Sequence, residues 1–257
     1  MRFPIRHVLA GRLFCGWGVV VGCLLLTGLA ELVAGVERQL GLPLFFAESS
    51  RGAEEFWART PGFSVRLGSG SVDVWVGGRG GEAVGALGFR LLGAREGVEG
   101  FGGDRLEAKL NILVGRDRAD WKTGLGMFGR VRFGEVYPGV DVVYYGNGGR
   151  LEYDFVVGAG VYPGVVRLGL EGAKGARIDS SGDLMIGIGG GELCQLRPVA
   201  YQDMGQGVRQ QVEASYVLNE VAGRYEVGFE LGEYDRGRAL VIDPVVVYAA
   251  YLGGSAY

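Results

Sequence analysis

From Phe56 onward, apolar and polar residues alternate in short runs, and almost nowhere do apolar positions recur at the 3.6-residue period of a helix. The segments FSVRLG and SVDVWVGG alternate around Gly68–Ser71 and predict a hairpin. ALGFRLLGA and AKLNILVG predict further strands, and GRVRFGEVYPGVDVVYYGNGGRLEYDFVVGAG supplies three more. Its NGG at 147–149 marks a tight hairpin turn, because Asn-Gly accepts the positive backbone angles such turns need. Alternation puts Tyr144 on the face of Val142 and Tyr145 on the face of Val143, with Tyr153 and Phe155 returning on the partner strand.

Beyond Gly164, GVVRLGLEGA, ARIDSSGDLMIGIGGGELCQLRPVAYQ, QQVEASYVLNEVAGRYEVGFELGEY and ALVIDPVVVYAAYLGG read as strands around turns. Strands at intervals of roughly eight to twelve residues predict an all-β, antiparallel, sandwich-like fold, in which strands of two layers bury their apolar faces against each other. Residues 35–257 form this body, with a division into two subdomains near 125–160 as one option.

The opening differs. Arg2, Arg6 and Arg12 precede an uncharged run from Leu13 to Ala30, followed by small residues around Ala30 and Ala34. A charged start, an apolar middle and a small-x-small option predict that residues 1–34 form a signal helix, with a retained membrane anchor as the alternative. Val20-Val21-Gly22-Cys23 only partly matches a lipidation motif, because Leu24–Leu26 continue the apolar run past the cysteine. The expected destination is outside the cytoplasm: the cell surface, the medium or the periplasm.

Composition narrows the chemistry. Gly is abundant at 50 of 257 residues without a three-residue period, and Pro is only 7, which excludes collagen and points to many tight turns. A pI near 5.4 with scattered arginines argues against nucleic acid. The one histidine, His7, lies in the predicted leader, so the remaining chain offers no His-based triad, zinc site or general base. Cys194 is the one cysteine beyond residue 34, which excludes an internal disulfide there, and it reads as a small buried hydrophobe. No phosphate loop or dinucleotide fingerprint occurs in strand–helix context. We therefore expect no catalytic residue, cofactor or metal.

The order NILVGRDRADWKTGLGMFGRVRFGEVYPGVDVVYYGNGGRLEYDF, then SSGDLMIGIGGGELCQLRPVAYQ, then YEVGFELGEYDRGRALVIDPVVVYAAYLGGS resembles the N-terminal domain of bacterial exported proteins that carry seven-bladed β-propeller (SBBP) repeats. The resemblance runs from about Leu42 to the last residue and implies a domain of unknown function leading directly into the first repeat. LPLFFAESSRGAEEF lacks the acidic-Asn-x-Gly-Gln element usual there, and the chain stops at Tyr257, where repeats begin in those proteins. It thus reads as a leader domain without its array, implying a non-catalytic structural or interaction module that caps or presents a propeller. Expected partners are such a repeat domain, a cell-surface protein or a glycan, with membrane contact only through an uncleaved N-terminus.

The competing class is a carbohydrate-binding module or glycan-active enzyme. Asp141, Tyr144, Glu152, Tyr153 and Asp154 crowd one hairpin and are the candidate ligand groove, acids and aromatic rings being what a sugar or calcium site uses. Trp57, Trp75 and Trp121 would add a platform if exposed together, and otherwise pack at the core or rim. DSSGD at 179–183 lacks EF-hand spacing and reads as a type I turn. Asp243 before Pro244 reads as a strand start or edge.

Overall fold

The computed structural model describes residues 44–49, 52–60, 62–77, 83–113, 117–118 and 121–249. The predicted signal or anchor at 1–34 and the YLGGS segment lie outside them. The described residues are all-β. In chain order the strands are β1 (Phe46–Ser49), β2 (Gly52–Arg59), β3 (Phe63–Gly68), β4 (Ser71–Gly77), β5 (Ala83–Leu91), β6 (Gly100–Ile112) and β7 (Lys122–Tyr137). There follow β8 (Val140–Asn147), β9 (Arg150–Val157), β10 (Leu168–Glu171), β11 (Gly175–Ile178), β12 (Leu184–Ile188) and β13 (Gly191–Gln195). The last are β14 (Val199–Gly205), β15 (Val208–Val212), β16 (Ala214–Val221), β17 (Arg224–Leu231), β18 (Leu240–Asp243) and β19 (Val245–Ala249), with a 3-10 turn at Pro163–Val165.

Every pairing is antiparallel. Hairpins carry the sheet from β2 through β3 and β4 to β5, then non-local pairs join β5 to β10 and β10 to β17, which pairs with β16. In the other direction β1 joins β2 to β7, and β7, β8 and β9 run through 122–157 as one ladder. β9 pairs with β19, which leads through β13 and β12 to β11. The sheet nearly closes into a barrel, so the two layers expected from alternation are opposite walls of one rolled sheet. Where β11 approaches β16 the ladder is replaced by single bonds beside it: Tyr216 Oη donates to the Leu196 carbonyl (2.7 Å) and Arg197 Nε to the Ala214 carbonyl (3.2 Å).

Inward positions are mostly apolar, as a period of two demands, and a chain of rings crosses the interior. Phe128, Phe56, Phe133, Tyr144, Tyr153, Phe155, Phe229 and Tyr216 follow one another with centroids 5.5–6.2 Å apart, mostly edge to face. Such pairs add about 0.5–1.5 kcal/mol each beyond simple burial. A cavity of about 10 Å³ among Phe89, Leu151, Tyr153, Phe155 and Leu168 has room for little more than one water, so at that point the barrel is filled.

The β8–β9 hairpin turns one residue later than the Asn-Gly signal suggests. Asn147 pairs with Arg150, and the two loop residues are Gly148 (φ 57°) and Gly149 (φ 77°), both in the left-handed region that a type I′ turn requires. This frees the Asn147 side chain, whose Nδ2 donates to Glu152 Oε2 at 3.3 Å.

Candidate functional site

The five groove candidates separate onto two faces and two ends of the hairpin. Tyr144 and Tyr153 pair across β8 and β9 and point inward, both buried. Burial pushes both hydroxyls far above their ordinary value, and Tyr153 Oη accepts a hydrogen bond from the buried Gln195. Glu152 and Asp154 occupy the alternate, outward positions. Alternation itself separates these residues: neighbours in a strand cannot line the same groove.

Asp141 also faces outward but is fully engaged elsewhere. Its Oδ2 takes a bidentate pair from Arg132 (2.5 and 3.1 Å), and its Oδ1 accepts the Glu135 N–H at 2.6 Å. Glu135 sits at φ 50° in the β7 bulge opposite β8, so Asp141 holds an irregular backbone in place.

What Glu152 and Asp154 meet instead is Asp243. Pro244, lacking an N–H, interrupts the last strands, and the chain forks there. β18 pairs with the Phe155–Val157 end of β9 and with β14, whereas β19 pairs with the Leu151–Glu152 end and with β13. Asp243 stands in this fork, its Oδ1 buried and without a hydrogen-bond partner. Burial first, then the charges of Asp154 and Glu152, push its carboxyl up to about 6 against the opposing pull of Arg209. Asp154 is raised as well, chiefly by burial and next by Glu152, although Tyr145 Oη donates to its Oδ1 at 2.9 Å. Tyr201 of β14 flanks the fork, with the Arg209 guanidinium 4.2 Å from its ring centre.

Several outward acids are matched with arginine: Asp104 with Arg130, Glu135 with Arg95, Glu192 with Arg177, Asp141 with Arg132. Along β2, β3, β4, β5 and β10 runs an alternating ladder Glu55–Arg66–Asp73–Arg90–Glu171. Gly88, opposite Asp73, makes room for it, because a Cβ there would lie 2.7 Å from the Arg90 guanidinium. Glu152, Asp154 and Asp243 have no cation within salt-bridge distance among the described residues. Among those residues, too, no group of three or more His, Cys, Asp or Glu is arranged to hold a metal ion. Chemically the fork offers in Asp243 a carboxyl that holds its proton more tightly than an ordinary aspartate.

Sequence reading missed Asp243, Tyr145, Tyr201 and Arg209. Tyr145 was within its reach, lying opposite Glu152 in the hairpin register. Asp243 was singled out for its backbone rather than its charge, and its distance of about ninety residues from Glu152 hides the encounter.

The remaining candidates find structural places. Trp57 and Trp75 do come together on the outer wall, stacked at 5.7 Å and 10° with Arg66 against both rings, while Trp121 packs with Arg118. Asp179 closes its turn by accepting the N–H groups of Ser181 and Asp183, with Gly182 at φ 86°. Burial, with Asp183 and Asp179 nearby, raises the half-buried Cys194 thiol and so disfavours the nucleophilic thiolate.

No curated protein matches the chain. The profile of a family described as a domain of unknown function (DUF7948) matches residues 60–245, most of the chain and the whole run from β3 to β18, and the protein belongs to that family.

Proposed function

We propose that this DUF7948 domain is a non-catalytic, exported module whose role is architectural: to cap or present a β-propeller repeat array at the bacterial cell surface. The observation that carries the reading is the seating of β19. Its Glu192–Gln195 partners on β13 and its Leu151–Glu152 partners on β9 fix the chain up to Ala249 within the sheet. The chain thus reaches Ala249 as part of a paired strand, a firm point from which to hold a neighbouring domain. The resemblance to the leader domain of SBBP-repeat proteins names what would follow, and a repeat stack needs its terminal edges covered. The nearly filled barrel interior and the Glu55–Arg66–Asp73–Arg90–Glu171 ladder suit a structural part.

The test joins a β-propeller repeat array directly after Tyr257 and compares its unfolding with that of the array alone. A higher unfolding midpoint for the joined array is expected; an unchanged midpoint, with the two parts melting independently, sinks the reading.

A second reading, glycan binding, is favoured by one observation: the fork gathers Glu152, Asp154 and Asp243 beside Tyr145 and Tyr201 with no arginine within salt-bridge distance among the described residues. Glycan-array binding lost in Asp154→Asn would support it, and an array without hits would remove it.

A further inference from the structure

β6 carries an unused edge. Among the described residues it pairs only with β7, and the Lys122–Gly126 part of β7 in turn pairs only with β6, so the two strands extend past β1 and β8 as a two-stranded ribbon. A ribbon of this kind is marginal in water without further pairing. Residues Arg105 to Leu113 are exposed or at most half-buried. Between the pairs Arg105–Phe128 and Lys109–Gly126, β6 spends four steps against two on β7. Leu106–Ala108 therefore bulge, with backbone groups that β7 does not fully satisfy.

The sequence at this edge is Leu106-Glu107-Ala108-Lys109-Leu110, which is complementary to itself when reversed. Glu107 and Lys109 are both exposed and have no ion-pair partner among the described residues, which leaves both charges available to a second copy. Read antiparallel about Ala108, Leu106 of one copy faces Leu110 of the other, Glu107 faces Lys109, and Ala108 faces itself. Alternation sends the leucines to one side of the joined sheet and the charges to the other. Moving the register by one residue in either copy breaks every one of these matches.

We propose that the β6 edge is a self-association surface, through which two copies of this chain pair antiparallel about Ala108. Its recognition is backbone pairing, four leucines in one apolar row and two equivalent Glu107–Lys109 ion pairs. An edge contact of this length buries less than a standard interface, so the dimer is weak and concentration-dependent, and salt weakens it further. A bulge can also serve to turn an edge away from partners, and the charge pattern separates the two roles.

The experiment is sedimentation velocity on the full chain and on exposed-charge variants whose folding is confirmed by circular dichroism. The unaltered chain is expected to self-associate with rising concentration. Glu107→Lys alone and Lys109→Glu alone set like charges opposite each other and weaken association at least tenfold. Mixing these two single variants restores it, because each then meets its complement, and the double exchange Glu107→Lys with Lys109→Glu restores it within one protein. A monomer at every concentration overturns the proposal. So does association that the single variants leave unchanged, or that neither the mixture nor the double exchange recovers.

Discussion

Gln202 and Asp235 close on each other from both ends: Gln202 Nε2 donates to the Asp235 carbonyl at 2.8 Å, and the Asp235 N–H donates to Gln202 Oε1 at 2.8 Å. Gln202 is 0% exposed, and the same Nε2 also reaches the carbonyls of Arg238 and Ala239 at 3.4 and 3.3 Å. One buried amide thus ties the segment between β17 and β18 to β14. Gln202→Leu is expected to cost about 1–3 kcal/mol, because the Asp235 N–H and the carbonyls lose their partner. Chemical denaturation measures the cost, and hydrogen exchange should rise first at residues 232–239. An unchanged midpoint would mean that water replaces the amide without loss.

The fork makes stability depend on pH. Asp243 is raised to about 6 in the folded protein, against an unfolded carboxylate near 3.9. A raised folded value means that its favourable contribution is complete below the unfolded value and is lost as pH rises through 6. Asp243→Asn removes the charge while keeping the shape. After allowance for solvent at this half-buried site, it should stabilise by about 1–2 kcal/mol at pH 7.5 and leave pH 4 nearly unchanged. Urea midpoints at the two pH values decide, and a destabilising substitution at pH 7.5 would show that the fork uses the charge.

Asp73 behaves in the opposite sense. It is 7% exposed and lies between Arg66 (2.5 Å) and Arg90 (2.6 Å). Burial alone would raise its carboxyl, but the hydrogen bonds and charges of Arg66 and Arg90 override that and hold it below the usual range. Its contribution is therefore present above the unfolded value and disappears as pH falls through the folded one. Asp73→Asn is expected to cost about 1–3 kcal/mol at pH 7, less than a fully buried pair because both arginines reach solvent. That cost should vanish in acid, as paired melting curves would report.

Tyr153 and Gln195 are coupled inside the barrel. Gln195 is fully buried, donates to Tyr153 Oη, and leaves its own Oε1 without a partner. Tyr153→Phe strands the amide and should cost about 1–2 kcal/mol. Adding Gln195→Met should recover most of this, since an apolar pair of similar shape leaves nothing unsatisfied. A double variant as unstable as the sum of the two singles would contradict the coupling.

By itself the sequence determined the strand content, the antiparallel class, most turn positions and, with its single histidine in the N-terminal segment, a poverty of reactive groups. Those properties are local: a period of two, a glycine or proline at a turn, and the presence or absence of a side-chain type can all be read within a few residues. It even held the separation of Tyr144 and Tyr153 from Glu152 and Asp154, because inward and outward positions follow from alternation alone. Tertiary structure alone decided that one sheet rolls nearly shut, that Asp141 is spent on Arg132, and that Asp243 arrives beside Glu152 and Asp154. Such encounters depend on which distant strands pair. Pairing is settled by the joint packing of Phe56, Phe133, Tyr144, Phe155 and Phe229 across the interior, a cooperative choice that no short stretch encodes.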